Sequence, residues 1–135
     1  MTNPPVMLRD IEEPDHAFVV DSWFNSHLRS KSCIKSIYDK EQRKLIKQLL
    51  NSDKVTTEIL CLNSDEDHII GFICYQGDNI LHYVYVKSPF RNMGIGKNLV
   101  NTCLTADKIF ITHINDKWND HICKAFYNPY LLNNL

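Results

Sequence analysis

YVYVKSPFRNMGIGK, residues 83–97, changes character in its middle. Tyr83 to Val86 are aromatic and β-branched, the composition of a buried strand. Ser88-Pro89 then turns the chain, and Arg91 through Gly96 leads into Leu99, Val100, Cys103 and Leu104, which repeat at helical spacing. The chain holds only four glycines, yet Gly94 and Gly96 both stand at this junction. Without a Cβ, glycine lets main-chain N–H groups approach a ligand closely. The first N–H groups of a helix have no partner inside it, and the helix start carries roughly half a positive charge. A strand-to-helix turn of this kind suits an anion, phosphate above all. Arg91 and Lys97 add charge at its rim.

The surrounding elements follow from pattern. Val6–Ile11 reads as a first strand, and Phe18, Val19, Trp23, Phe24 and Leu28 lie at helical spacing behind Pro14. A second helix spans roughly Asp39 to Asn51, with Leu45, Ile46, Leu49 and Leu50 as its apolar stripe. From Val55 the texture becomes strand-like: VTTEILCL, HIIGFICYQ and NILHYVYVK, separated by NSDEDH and GDN, predict an antiparallel meander. After the glycine-led helix, KIFITHI is a further strand and NDKWNDHICKAFY a loop and helix. The order is β-α-α-β-β-β-α-β-α, an α+β mixed sheet with one parallel crossover.

At 135 residues the chain corresponds to one domain, 1–135. Its 44 % apolar and 23 % charged content is that of a globular protein. No run approaches the ~18 apolar residues of a membrane span, and the N-terminus lacks the pattern of a secretory signal, so a cytoplasmic location without membrane attachment is expected. Five widely spaced cysteines with no C-x-x-C pair read as reduced thiols, mostly in the core. The net charge of −1 argues against a general nucleic-acid binder. Basic residues gather between Arg29 and Lys54, a pattern that fits the solvated face of an amphipathic helix.

Two phosphate signatures fail on RNMGIGK. A Walker A loop has glycine where Arg91 stands and a hydroxyl where Asn98 stands; the dinucleotide fingerprint has a third glycine where Leu99 stands. VYVKSPFRNMGIGKNLV instead resembles the cofactor motif of the GNAT superfamily of N-acetyltransferases. That motif is a strand ending in valine, a turn, then R/Q-x-x-G-x-G/A opening a helix. Val86, Arg91, Gly94 and Gly96 match it, and the element order agrees with the family's fold.

The resemblance implies an acetyl-CoA-dependent N-acetyltransferase that needs no metal. It implies that the turn of Arg91, Asn92, Met93, Gly94, Ile95, Gly96 and Lys97 holds the pyrophosphate of acetyl-CoA. It implies that the main chain of Tyr83, Val84, Tyr85 and Val86, where the fourth strand splays from the fifth, pairs with the pantetheine arm. The Val86 N–H would polarise the thioester carbonyl, a contribution commonly worth about 10²–10³ in rate. NDHICKAFY resembles the family's following helix through Asn119, Ala125 and Tyr127. Tyr127 would be the general acid for the thiolate, with Tyr130 as a neighbouring rival. An amine acceptor must lose a proton, and His82, or else His113, has a suitable reference pKa for that base. No zinc spacing of histidines and acids occurs.

The sequence departs from the family after Tyr127, where NPYLLNNL replaces a Gly-Phe turn and two strands. A short strand at Tyr130–Leu132 and a homodimer covering the exposed sheet edge are the expected consequences. An alternative function is a GNAT-fold binding or structural protein without catalysis. The acceptor is a small-molecule or protein amine, and the basic segment before residue 55 disfavours a polyamine. Compact size and texture are also similar to small GNAT-like proteins of phages and prophages.

Overall fold

The structure, a computed structural model, describes residues 5–28, 35–113 and 125–134. Six strands form one sheet in the order β1-β2-β3-β4-β5-β6: β1 Val6–Asp10, β2 Thr56–Leu62, β3 Asp65–Gln76, β4 Ile80–Val86, β5 Ile109–Ile111 and β6 Ala125–Tyr127. The first four pair antiparallel, β2–β3 and β3–β4 through short turns and β1–β2 across the two-helix connection, while β4–β5 and β5–β6 are parallel. Helices α1 (His16–Leu28) and α2 (Lys35–Asn51) precede β2, and α3 (Ile95–Cys103) joins β4 to β5. This is the mixed α+β architecture expected from the sequence, with its one crossover from β4 through α3 to β5.

Strand alternation divides the apolar residues between two faces. On one face, Val19, Trp23, Phe24, Ile46 and Leu49 of α1 and α2 cover Ile59, Phe72, Cys74 and Tyr83. On the other, Ile95, Leu99 and Val100 of α3 cover Leu60, Ile70, Ile73, Leu81 and Val84. Trp23 anchors the first layer by stacking on Tyr83, ring centres 4.9 Å apart. The entry to α1 is fixed by charge: Arg9 grips Asp15 with both terminal nitrogens at 2.6 and 3.0 Å, and Asp15 also accepts the Glu12 N–H at 2.8 Å. The hydrogen bonds from Arg9 hold the Asp15 carboxyl below its ordinary range despite burial.

Two expected elements differ. Ala125–Tyr127 is a strand rather than the end of a helix, paired to β5 at Ile109↔Ala125, Phe110↔Phe126 and Ile111↔Tyr127. Phe and Tyr favour strands, and Pro129 leaves no room for another helical turn before the chain breaks. Tyr130–Leu132 is not a strand but lies in a 3-10 segment, Pro129–Asn134, opened by Pro129 and by a Tyr130 N–H bond to Asn128 Oδ1 at 3.2 Å. The helix expected from Asp39 begins earlier, at Lys35. Residues 114–124, which contain Asn119 and the start of the last expected helix, lie outside the described residues, as does Cys33; Cys123 falls in the same stretch. Cys61, Cys74 and Cys103 are free thiols. Among the described residues no helix is long and apolar enough to cross a membrane.

Candidate active site

The site is built where β4 leaves β5. These strands pair only at Ile80↔Phe110 and Leu81↔Ile111, ending with the Thr112 N–H donating to the Leu81 carbonyl at 3.2 Å. Beyond Leu81 no described residue pairs with β4 on that side, whereas β3 accompanies it as far as Val86. An antiparallel ladder alternates hydrogen-bonded and non-bonded pairs. The Lys87 N–H donates to the Ile70 carbonyl at 2.8 Å, so the next pair, Gly71↔Val86, is a non-bonded one. The backbone N–H and C=O of Val86, and by the same alternation those of Val84, therefore point away from β3 toward the open side. Gly71 permits this close approach of β3, since a Cβ there would run into the Tyr85 carbonyl.

A bulge sets the angle at which β4 departs. Cys74 faces Tyr83, but the neighbouring Tyr75 faces Leu81, so His82 is an extra residue. The side chains record it: Leu81 and Val84 join the same α3-side core although three residues apart, while Tyr83 points into the α1–α2 core.

The glycine turn follows at once. Asn92 and Gly94 have φ of 65° and 76°, the left-handed region, and Gly94 is the N-cap of α3. Nothing would touch a Cβ on Gly94, so that glycine answers a backbone need. The first intrahelical bond runs from the Asn98 N–H to the Gly94 carbonyl at 3.0 Å. The N–H groups of Ile95, Gly96 and Lys97 are left without a helical acceptor, and among the described residues no side chain caps the helix start. Gly96 differs from Gly94: a Cβ there would meet only Val86 Cγ2 at 3.8 Å, an ordinary contact. Protein packing does not require this glycine, and the bare first turn adjoins the open Val86 backbone. Ile95 is buried as the helix's anchor, Met93 packs against the α3-side core, and Lys97 is exposed. Arg91 Nε donates to the Val86 carbonyl at 2.8 Å, with its guanidinium 5.5 Å from the Tyr85 ring centre. Arg91 thereby satisfies the Val86 carbonyl and leaves the Val86 N–H as the group on offer.

Of the remaining expected residues, His82, Tyr83 and Tyr85 lie on β4 itself, and His113 and Tyr127 lie beyond it. Tyr83 is buried, stacked on Trp23 and hydrogen-bonded to Ser26, and burial pushes its phenol up to about 12. Tyr85 is half-buried beside Phe18 and Phe72. His82 is fully buried between Gln76 and Thr112, and burial pushes it down to about 4. His113 is buried against Trp23 and His27 and is pushed down to about 3, by burial first and then by His27 and His82. Tyr127 lies on β6, two strands from β4, with half its surface exposed. Sequence reasoning passed over Gly71, Gln42, Gln76 and Thr112. One signal existed: ILHYVYV cannot place Leu81, Val84 and Val86 on one face without an extra residue.

The profile of the acetyltransferase (GNAT) family matches residues 20–110. No curated protein matches the chain. Among solved structures, the apo form of YjaB from Escherichia coli superimposes with a TM-score of 0.57 at 18 % identity, covering 77 % of this chain and 68 % of that one. An HPA2-related acetyltransferase from Corynebacterium glutamicum gives 0.51 at 16 %, covering 75 % and 70 %. The ribosomal-protein-alanine N-acetyltransferase from Brucella melitensis gives 0.50 at 13 %, covering 96 % and 86 %. At such identities these structures speak for the fold. The family match takes in α2, the meander, the glycine turn and α3, so the chain belongs to the acetyltransferase (GNAT) family and its general chemistry is acyl transfer.

Proposed function

We propose that the protein is an acetyl-CoA-dependent N-acetyltransferase in which an amine attacks the thioester directly. The observation that carries this reading is the continuity of the β4 edge at Val84 and Val86, which no described residue pairs on the β5 side, with the first turn of α3. An extended, amide-bearing chain ending in a pyrophosphate fits that surface: its amides meet a strand edge, and its phosphates meet N–H groups at the positive end of a helix. The glycine at position 96, which packing does not demand, keeps the turn bare.

When bound, acetyl-CoA supplies the electrophilic thioester carbon. The chain's own contributions are four. The Val86 N–H donates to the carbonyl oxygen as it gains charge, with Arg91 occupying the neighbouring Val86 carbonyl. The N–H groups of Ile95, Gly96 and Lys97, oriented by the left-handed Gly94, hold the pyrophosphate, and Lys97 adds charge. Tyr127, half exposed at the level of Leu81 across β5, gives its proton to the departing thiolate. Half-buried Tyr85 and Phe18 wall the α1 side, where the amine would enter. The attacking nitrogen forms the new C–N bond, the C–S bond breaks, the amine proton passes to solvent, and solvent returns a proton to the Tyr127 phenolate.

The experiment is incubation with acetyl-CoA and a pooled set of amines, including peptide N-termini, followed by mass spectrometry. A product heavier by one acetyl group, with stoichiometric release of CoA, supports the proposal. Binding of acetyl-CoA with no acetylated product from any amine would favour a GNAT-fold binding protein instead.

A further inference from the structure

A chain of side chains runs through the strand opening that the acyl-transfer chemistry leaves unused. His82 on β4, and Thr112 and His113 just past β5, are buried. They link half-buried Gln76, the last residue of β3, to half-buried Gln42 on α2. The contacts are His82 Nε2 to Gln76 Oε1 at 3.2 Å, His82 Nδ1 to Thr112 Oγ1 at 2.9 Å, Thr112 Oγ1 to His113 Nδ1 at 3.1 Å, and His113 Nε2 to Gln42 Nε2 at 3.1 Å.

With Gln42 Nε2 and Gln76 Oε1 facing the two rings, donor chemistry gives this chain one direction. An amide nitrogen only donates, an amide oxygen only accepts, and a neutral imidazole does one of each. Gln42 therefore donates to His113 Nε2, which puts the His113 proton on Nδ1, facing the Thr112 oxygen. The Thr112 hydroxyl then donates to His82 Nδ1, and the His82 proton sits on Nε2, where the Gln76 oxygen accepts it. Working from the Gln76 end gives the same assignment. Each contact has one donor and one acceptor, with both rings neutral. A second proton on His113 would set its Nε2 against Gln42 Nε2, two donors, and a second proton on His82 would leave the Thr112 hydroxyl without an acceptor in the chain. Since both ends are amides, a proton cannot enter at one end and leave at the other.

We propose that this chain is a positioning latch for the acyl-transfer site, fixing the β4 bulge and the point where β4 and β5 separate, and that His82 is not the base for the acceptor amine. The inference rests on the reading of the β4 edge given under Proposed function. His82 is the bulged residue itself, and the strand that leaves it carries Val84 and Val86. Fixing its ring to β3 on one side and to Thr112 on the other therefore fixes the direction of those N–H groups. Among the described residues, Thr112 is also the last whose backbone N–H bonds β4 from the β5 side. The lowered pKa values of both rings agree with neutral imidazoles. The titratable groups facing His113 are His27 on α1, 5.2 Å away between ring centres, and His82 and Tyr83 on β4; α2 presents the uncharged Gln42.

Two measurements test it. Long-range ¹H–¹⁵N spectra of the full-length protein read the tautomers without any substrate. His82 is expected to be protonated on Nε2 and His113 on Nδ1, with neither titrating between about pH 5 and 8. The same tautomer in both rings, or titration of either in that range, overturns the latch. With an amine substrate in hand, Thr112→Val and His82→Gln should lower kcat by similar factors, about tenfold to a hundredfold, without moving the pH–rate profile. Thr112→Ser, which keeps the hydroxyl, should restore the rate. Loss of the pH-dependent limb in His82→Gln alone, with Thr112→Val at full rate, would make His82 the base and refute the proposal. If the wild-type protein binds no acetyl-CoA, the functional reading fails, and the tautomers still decide the latch.

Discussion

Replacing Gly96 by Glu separates the needs of the fold from those of the ligand. Gly96 is the second residue of α3, and a Cβ there meets only Val86 Cγ2 at 3.8 Å. The folded chain should welcome the change. Leaving glycine improves helix propensity by about 0.5 kcal/mol, and a carboxylate in the first turn gains about 0.3–1 kcal/mol from the helix dipole. Together these predict a melting temperature a few degrees above wild type, about 2–6 °C. The ligand should experience the opposite. A carboxylate roughly 5 Å from a phosphate charge is repelled by about 1–3 kcal/mol at surface-like dielectric, a tenfold to hundredfold loss of affinity before bulk is counted. Gly96→Ala is the control, since it adds only the methyl that the site accommodates. Scanning calorimetry on all three proteins, with calorimetric titration of acetyl-CoA, reads both effects. A Gly96→Glu protein that melts at or above the wild-type temperature yet binds acetyl-CoA equally well would refute the cradle.

Gly71→Ala should cost about 1–3 kcal/mol in urea denaturation, because its Cβ meets the Tyr85 backbone and β3 must move; the same shift should weaken acetyl-CoA binding. Asp15→Asn tests the Arg9 pair. The Asp15 carboxyl is lowered in the fold, so its contribution is present above the unfolded pKa of about 4 and is lost as pH falls through the lower folded value. The variant should be about 1.5–3 kcal/mol less stable near neutral pH, with the gap to wild type closing in acid. Tyr127→Phe should leave acetyl-CoA affinity unchanged and lower turnover at least tenfold; full turnover would remove Tyr127 from the mechanism.

The parts of this fold that were legible in the sequence are those with local causes. The β2–β3–β4 meander follows from apolar runs and short connections, and the turn at residues 91–97 from two glycines before an amphipathic helix. The α1–α2 layer follows from the spacing of Trp23, Phe24, Ile46 and Leu49. What was hidden depends on partners distant in sequence. Ala125–Tyr127 is compatible with a helix until β5 offers it a parallel edge. His82 reads as a base candidate by its reference pKa, and its burial between Gln76 and Thr112 leaves no trace in the local sequence. Arg91 reads as a phosphate ligand by motif, while its Nε is engaged by the Val86 carbonyl five residues earlier. A bulge has no residue signature of its own; only the parity of Leu81 against Val84 betrays it.

The central claim is that an unpaired β4 edge and the α3 N-terminus together receive acetyl-CoA. Titration of the ¹⁵N-labelled protein with acetyl-CoA, followed by backbone amide spectra, tests it most directly. The account predicts saturable shifts at the amides of Val84, Val86, Ile95, Gly96 and Lys97, with the β1 and β2 amides unmoved. Saturable binding that leaves those five amides unshifted would contradict it.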